Sequence, residues 1–216
     1  MHKEEDLSFK NVIIFGSYEF YPLSDKSLGS MAQIKSQLLE HIDILPENVH
    51  TFPGDLPKET IFSFCEEYEK SIAEAGGIDI QVLGIGQWGN IAMNEPGTQP
   101  NSSTRLVIMD NNSRVDAKSL FGNVAQVPTC AITLGIETIL KAKEVILVAF
   151  GQHKAGIVKQ AIEEVASAEC PASYLQLHKN ASIVLDLDAA NKLTRINHPW
   201  KVTNCEWTDQ LVRRAV

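Results

Sequence analysis

No two cysteines stand close enough to make a CxxC pair. Cys65, Cys130, Cys170 and Cys205 are dispersed along 216 residues. That spacing argues against a zinc site and against a disulfide scaffold, so no metal and no cofactor are expected, and a reducing cytoplasm fits best. No apolar run reaches the ~18 residues that a bilayer-spanning helix needs, so no membrane partner is expected. Basic residues are scarce: 19 Lys and Arg face 27 Asp and Glu, for a net charge of −8 and a pI near 5.2. The densest basic pair, Arg213-Arg214, sits at the very end. An acidic surface repels phosphate backbones, which excludes nucleic acid as a natural partner. The charged start, Met1 to Ser8, is unlike a secretory signal and is read as a flexible segment over 1–8. Internal repeats and low-complexity linkers are also missing.

What is there is a large apolar fraction, 44%, organised as short β-branched runs between helical patterns. Asn11–Phe15, His50–Phe52, Asp79–Gly86, Thr104–Asp110, Glu144–Phe150 and Ala181–Leu187 read as strands. Leu28–His41, Lys58–Ala75, Gly135–Ala142 and His153–Ala168 read as helices, the second stopped by Gly76-Gly77. Apolar strands alternating with helices predict an α/β domain over 9–196. Its form is a three-layer open, mostly parallel sheet with helices on both faces, a modified Rossmann-like arrangement. From Asn197 onward the composition changes, with Pro199, Trp200 and Trp207, and 197–216 is read as a C-terminal extension.

Gly84-Ile85-Gly86-Gln87-Trp88-Gly89 matches GxGxxG after a strand, and Asp110 ends the next strand where a dinucleotide fold would place a ribose ligand. Pro96-Gly97 follows Gly89 too soon for the helix that holds a pyrophosphate. The alternative is that the glycines let the chain turn sharply and let another backbone approach. In an open α/β sheet such a loop, at the carboxyl end of a strand, is where ligands bind.

Gly84-Ile85-Gly86-x-x-Gly89-x-Ile91-Ala92-x-Asn94-Glu95-Pro96-Gly97 resembles the signature loop of the glucosamine-6-phosphate deaminase/isomerase family, within the 6-phosphogluconolactonase-like superfamily. Gln126-Val127-Pro128, Gly135–Leu140, Gly151–Ala155 and Tyr174–His178 continue the resemblance, in a consistent order over roughly 9 to 190. The tail, with Pro199-Trp200 and Cys205-Glu206-Trp207, resembles long bacterial members that carry a further deacetylase-like domain. The resemblance implies conversion of glucosamine 6-phosphate to fructose 6-phosphate and ammonia, in amino-sugar metabolism, by an assembly of identical chains.

That chemistry needs a base, a ring-opening group and phosphate anchors. The resemblance places the base at Tyr18, where a phenol with a pKa near ~10 is a poor base at neutral pH. Glu19, beside it, points to the opposite strand face. The ring-opening histidine falls on Asn90, whose amide cannot shuttle protons. The aspartate that orients this histidine falls on Trp88, which is either a pocket plug or an exposed stacking platform; it is expected to fill a pocket, because a large apolar ring seeks burial. Of that set only Glu95 remains. For the substrate, the resemblance implies Gly84, Gly86 and Gly89 in the loop, Lys154 as a phosphate cation, and Arg114. The phosphate arginine falls near Ser119, beside Lys118, and the family's glycine- and threonine-rich phosphate turn has no counterpart before Phe9.

Three readings follow: a family enzyme with weak or no deaminase turnover, a non-catalytic module that binds a sugar phosphate or other small anion, and a module that forms homo-oligomers. His153 and His178 read as structural, and Cys65, Cys130 and Cys170 as core.

Overall fold

The structure, a computed structural model, describes residues 7–215. Most of the expected flexible segment, and Val216, lie outside the described residues. The chain divides into two compact units. The first holds the residues up to Ile78, with Ala92–Asn94 and Asn101–Lys141. The second holds Asp79–Ile91, Glu95–Pro100 and the residues from Ala142 on.

In the first unit β1 (Ile14–Phe15) pairs in parallel with β3 (Val49–His50). A second sheet orders β2 (Tyr18–Tyr21), β6 (Cys130–Thr133) and β5 (Arg105–Ile108), all antiparallel. The sequence predicts β5 and puts Tyr18 and Glu19 on a strand, but it sets no bounds for β2 and does not show β6. Tyr18-Glu19-Phe20-Tyr21 spans only four positions and ends in two adjacent aromatics, too short and irregular a window for periodicity to speak. At the centre of this sheet Ala131, Ile132 and Thr133 are fully buried. Phe20, Leu23, Met93, Met109, Phe121, Val127 and Ala131 form the core, with Tyr18 packed against it.

Helix α1 (Ser30–Gln37) begins where Ser30 and Met31 donate their N–H groups to the Glu19 carboxylate. Helix α2 (Ile61–Glu74) buries Ile61, Cys65, Tyr68 and Ile72, a stripe at helical spacing. It ends as expected: Gly76 and Gly77 both take positive φ, and Gly77 N–H donates to Ile72 O. Asp110 is no ribose ligand. It caps α3 (Asn111–Phe121) by accepting from Asn112 N–H at 2.8 Å, and Gly122 at φ 83° ends that helix. Short α4 (Ile136–Leu140) follows β6.

The second unit carries the parallel sheet that the sequence predicts, in the order β4 (Ile80–Gly84), β7 (Glu144–Ala149), β8 (Ala181–Leu185). Leu83, Val145 and Leu147 are buried, whereas Ile80 and Val82 on β4 stand open. Helix α5 (Ala155–Glu163) turns Ala155, Val158 and Ala161 inward. The 3₁₀ turn Pro171–Leu177, buried from Pro171 to Leu175, precedes β8. His178 is structural, as expected. Its Nδ1 accepts from Asn180 N–H, so Nε2 carries the proton and donates to Ala142 O at 2.7 Å. Short helices α6 (Leu187–Ala190), α7 (Thr194–Asn197) and α8 (Asp209–Ala215) complete the chain. In the extension Trp200 and Trp207 stack at 5.5 Å. Among the described residues no helix is long and apolar enough to cross a membrane.

Candidate functional site

Strand β4 delivers the chain into the glycine loop at Gly84, and Ile85 then dives into the core. Gly86 N–H donates to Asn90 O at 2.8 Å, and Gly89 N–H donates to Gly86 O at 3.2 Å. The two bonds close Gly86–Asn90 into a small loop with Trp88 near its tip. Gly89 sits at φ 78°, where a side chain is strained. Its carbonyl accepts from Ala172 N–H at 2.8 Å. Lys154, at the start of α5, donates from Nζ to Ile85 O at 2.8 Å. The loop is thus fastened at its neck, at its far side and at its base.

Trp88 does not fill a pocket. Its exposure is 49%. The turn decides this: closure by Gly86 and Gly89 puts the residue between them at a tip, out of reach of the core. Asn90, in contrast, folds its side chain back over Gly86, with Oδ1 buried and without a hydrogen-bond partner. No helix follows the loop before β5, so the dinucleotide reading lacks the helix N-terminus that would hold a pyrophosphate.

After the loop, Ala92 takes a left-handed φ of 49°, unusual for a residue with a Cβ. Asn94 is fully buried in the first unit: Nδ2 donates to Leu134 O, and Oδ1 accepts from Arg105 at 3.0 Å. Burial pulls the Arg105 guanidinium below its ordinary pKa. Glu95 lies half-buried at the start of a turn in which Thr98 N–H donates to its carbonyl, while Gly97, at φ 96°, donates to Ala168 O. In the Asn94–Gly97 run, the asparagine and glycine therefore hold the backbone.

Gly84, Gly86, Trp88, Gly89, Asn90, Glu95 and Lys154 belong to the second unit, Tyr18 and Arg114 to the first. Tyr18 packs edge-on against Phe20 at 5.8 Å. Burial, and next the nearby Glu19 carboxylate, push its phenol above the usual pKa, against a lowering bond with Ser30. Glu19 is turned away, as alternation predicts, and is 4% exposed. Arg114 donates to Val124 O and Val127 O, and its Nε is buried without a partner. Lys118 and Ser119 are exposed on α3. The fastening of the loop by Lys154 and by the Cys170–Ala172 segment escaped sequence reasoning, because those partners lie more than sixty positions away.

The family model for glucosamine-6-phosphate isomerases/6-phosphogluconolactonase matches residues 1–184. A glucosamine-6-phosphate deaminase-like protein of Bacteroides thetaiotaomicron is 50% identical over 217 residues, which cover 100% of this chain and 33% of that protein. The chain thus spans about a third of the length of that relative. The glucosamine-6-phosphate deaminase of Shewanella woodyi is 42% identical over 194 residues, covering 89% of this chain and 73% of the other. Among solved structures, a monomeric glucosamine-6-phosphate deaminase superimposes with a TM-score of 0.84 at 33% identity, covering 88% of this chain and 79% of that one.

Proposed function

Because the chain belongs to the glucosamine-6-phosphate isomerase/6-phosphogluconolactonase family, we propose that it binds a sugar phosphate at the glycine loop and has weak or no deaminase turnover. The state of Tyr18 carries this reading. A family base must be ionised at neutral pH, and a buried phenol with a raised pKa keeps its proton. Two further positions support it. Asn90 offers an amide where the resemblance implies a histidine, and Trp88 an indole where it implies a carboxylate; neither moves a proton. Glu95 alone cannot supply both acid and base steps.

Binding is favoured by what the loop keeps. Gly84, Gly86 and Gly89 hold an open turn at the carboxyl end of β4, where α/β sheets take ligands. Lys154 brings an ammonium to its base, a point charge suited to a phosphate. The setting we propose is the cytoplasm, supported by four free cysteines.

The experiment joins an ammonia-release assay to thermal denaturation with glucosamine 6-phosphate. Ammonia release is expected to stay at background, while the ligand raises the melting temperature by mass action. Lys154→Ala is expected to remove that rise. Ammonia release at the rate of an intact deaminase, or no stabilisation by any hexose phosphate, would overturn the reading.

A further inference from the structure

We propose that Trp88 is an aromatic platform on which the ring of a bound hexose phosphate lies, an inference that rests on the sugar-phosphate reading above. The resemblance gives this position no such role, since it implies a carboxylate there.

Three observations carry it. The indole stands half in water, although a large apolar ring gains by leaving water. That exposure is built in. The bonds of Gly86 with Asn90 and with Gly89 close the loop, and Gly89 is held at positive φ against Cys170. The other two tryptophans find each other, Trp200 stacking on Trp207, whereas Trp88 has no ring partner among the described residues.

The chemistry of the neighbourhood fits a phosphorylated sugar. The face of an indole is electron-rich and meets the weakly positive C–H groups that cover one face of a pyranose ring. Lys154 lies at the base of the same loop, bonded to the carbonyl of Ile85, three positions before Trp88. A ring on the indole and a phosphate near the ammonium would engage the two chemically different ends of one ligand. Platform and cation both belong to the second unit.

The test is calorimetric titration of the full chain with glucosamine 6-phosphate, glucose 6-phosphate and inorganic phosphate. In Trp88→Ala, affinity for both hexose phosphates is expected to fall about fivefold to tenfold, the range of an aromatic contact. Affinity for inorganic phosphate is expected to stay unchanged, and Trp88→Phe should recover most of the loss. Indole fluorescence should respond to the hexose phosphates in the wild type and not in Trp88→Phe. Lys154→Ala, by contrast, should weaken all three ligands. Wild-type affinity for hexose phosphates in Trp88→Ala overturns the platform and leaves the binding reading standing. Equal weakening for hexose phosphates and inorganic phosphate also overturns it, because the indole would then act on the loop rather than on the ring. Absence of binding in the wild type overturns the sugar-phosphate reading itself.

Discussion

Gly89 lies so close to Cys170 that a Cβ on the glycine would stand 2.5 Å from the Cys170 sulfur and 3.1 Å from its Cα. The second distance matters more, because a backbone atom cannot swing aside. Gly89→Ala must also hold a side chain at φ 78°. The expected loss is about 1–3 kcal/mol in urea denaturation, from strain and overpacking together. In Gly86→Ala the nearest atoms belong to the Asn90 side-chain amide, which can rotate away, and the change is expected to cost less. Equal effects at the two positions would show that Cys170 does not fasten the loop.

Glu19 is buried and serves the start of α1 by accepting from Ser30 and Met31. Replacing it by alanine removes the acceptor of three N–H groups, those of Ser30, Met31 and Phe20. Glu19→Ala is expected to lose about 2–3 kcal/mol by chemical denaturation, because bonds to a charged acceptor exceed neutral ones. Glu19→Gln keeps an acceptor oxygen and should lose less. Wild-type stability in Glu19→Ala would mean that water replaces the carboxylate at no cost.

A half-buried acid, Glu69, accepts from Thr104 N–H, from the Thr104 hydroxyl and from the Thr138 hydroxyl. It links α2 to the start of β5 and to α4 within the first unit. Thr138→Val is expected to cost about 1–2 kcal/mol, and much less once Glu69 is already alanine. A double-mutant cycle measures the difference, and strictly additive losses would show that the two do not interact.

Alkaline pH is expected to destabilise the chain through groups that resist ionisation when folded. Burial pushes Tyr68 and Tyr18 above the ordinary phenol value, and pushes Cys65 up to about 11 from 9.0. In each case Glu69 or Glu19 adds to the rise. A raised folded pKa means that the folded chain keeps a proton the unfolded chain has lost. The stabilising difference is whole below pH 9 and drains away as pH rises beyond it. Urea midpoints from pH 8 to 11 should fall, less steeply in Cys65→Ala and in Tyr68→Phe. A flat profile would contradict these shifts.

The legibility of this fold followed the length and character of its elements. Helix α2 announced itself by a four-residue apolar stripe and a Gly-Gly stop, and β7 by an unbroken apolar run. Helix α3 went unread because Asn111–Phe121 is mostly polar, although Asp110 before it and Gly122 after it are ordinary cap signals. The antiparallel pairing of β2 and β5 with β6 also went unread. Strand pairing is non-local, and four-residue strands carry too few positions to show a period.

The sequence by itself determined the family and the backbone of the loop. Glycine at 84, 86 and 89, and the Asn94–Gly97 run, specify a turn through properties that each residue carries with it. It also determined that Tyr18, Trp88 and Asn90 stand where the resemblance implies other side chains, since side-chain chemistry is written in the residue's identity. Only the tertiary structure decided where the replacements point: Trp88 outward, Asn90 back over Gly86, and Tyr18 into the core with its proton held. Those directions depend on Cys170, Lys154 and Phe20, which reach these residues through packing and hydrogen bonds of the folded chain. No local pattern records them.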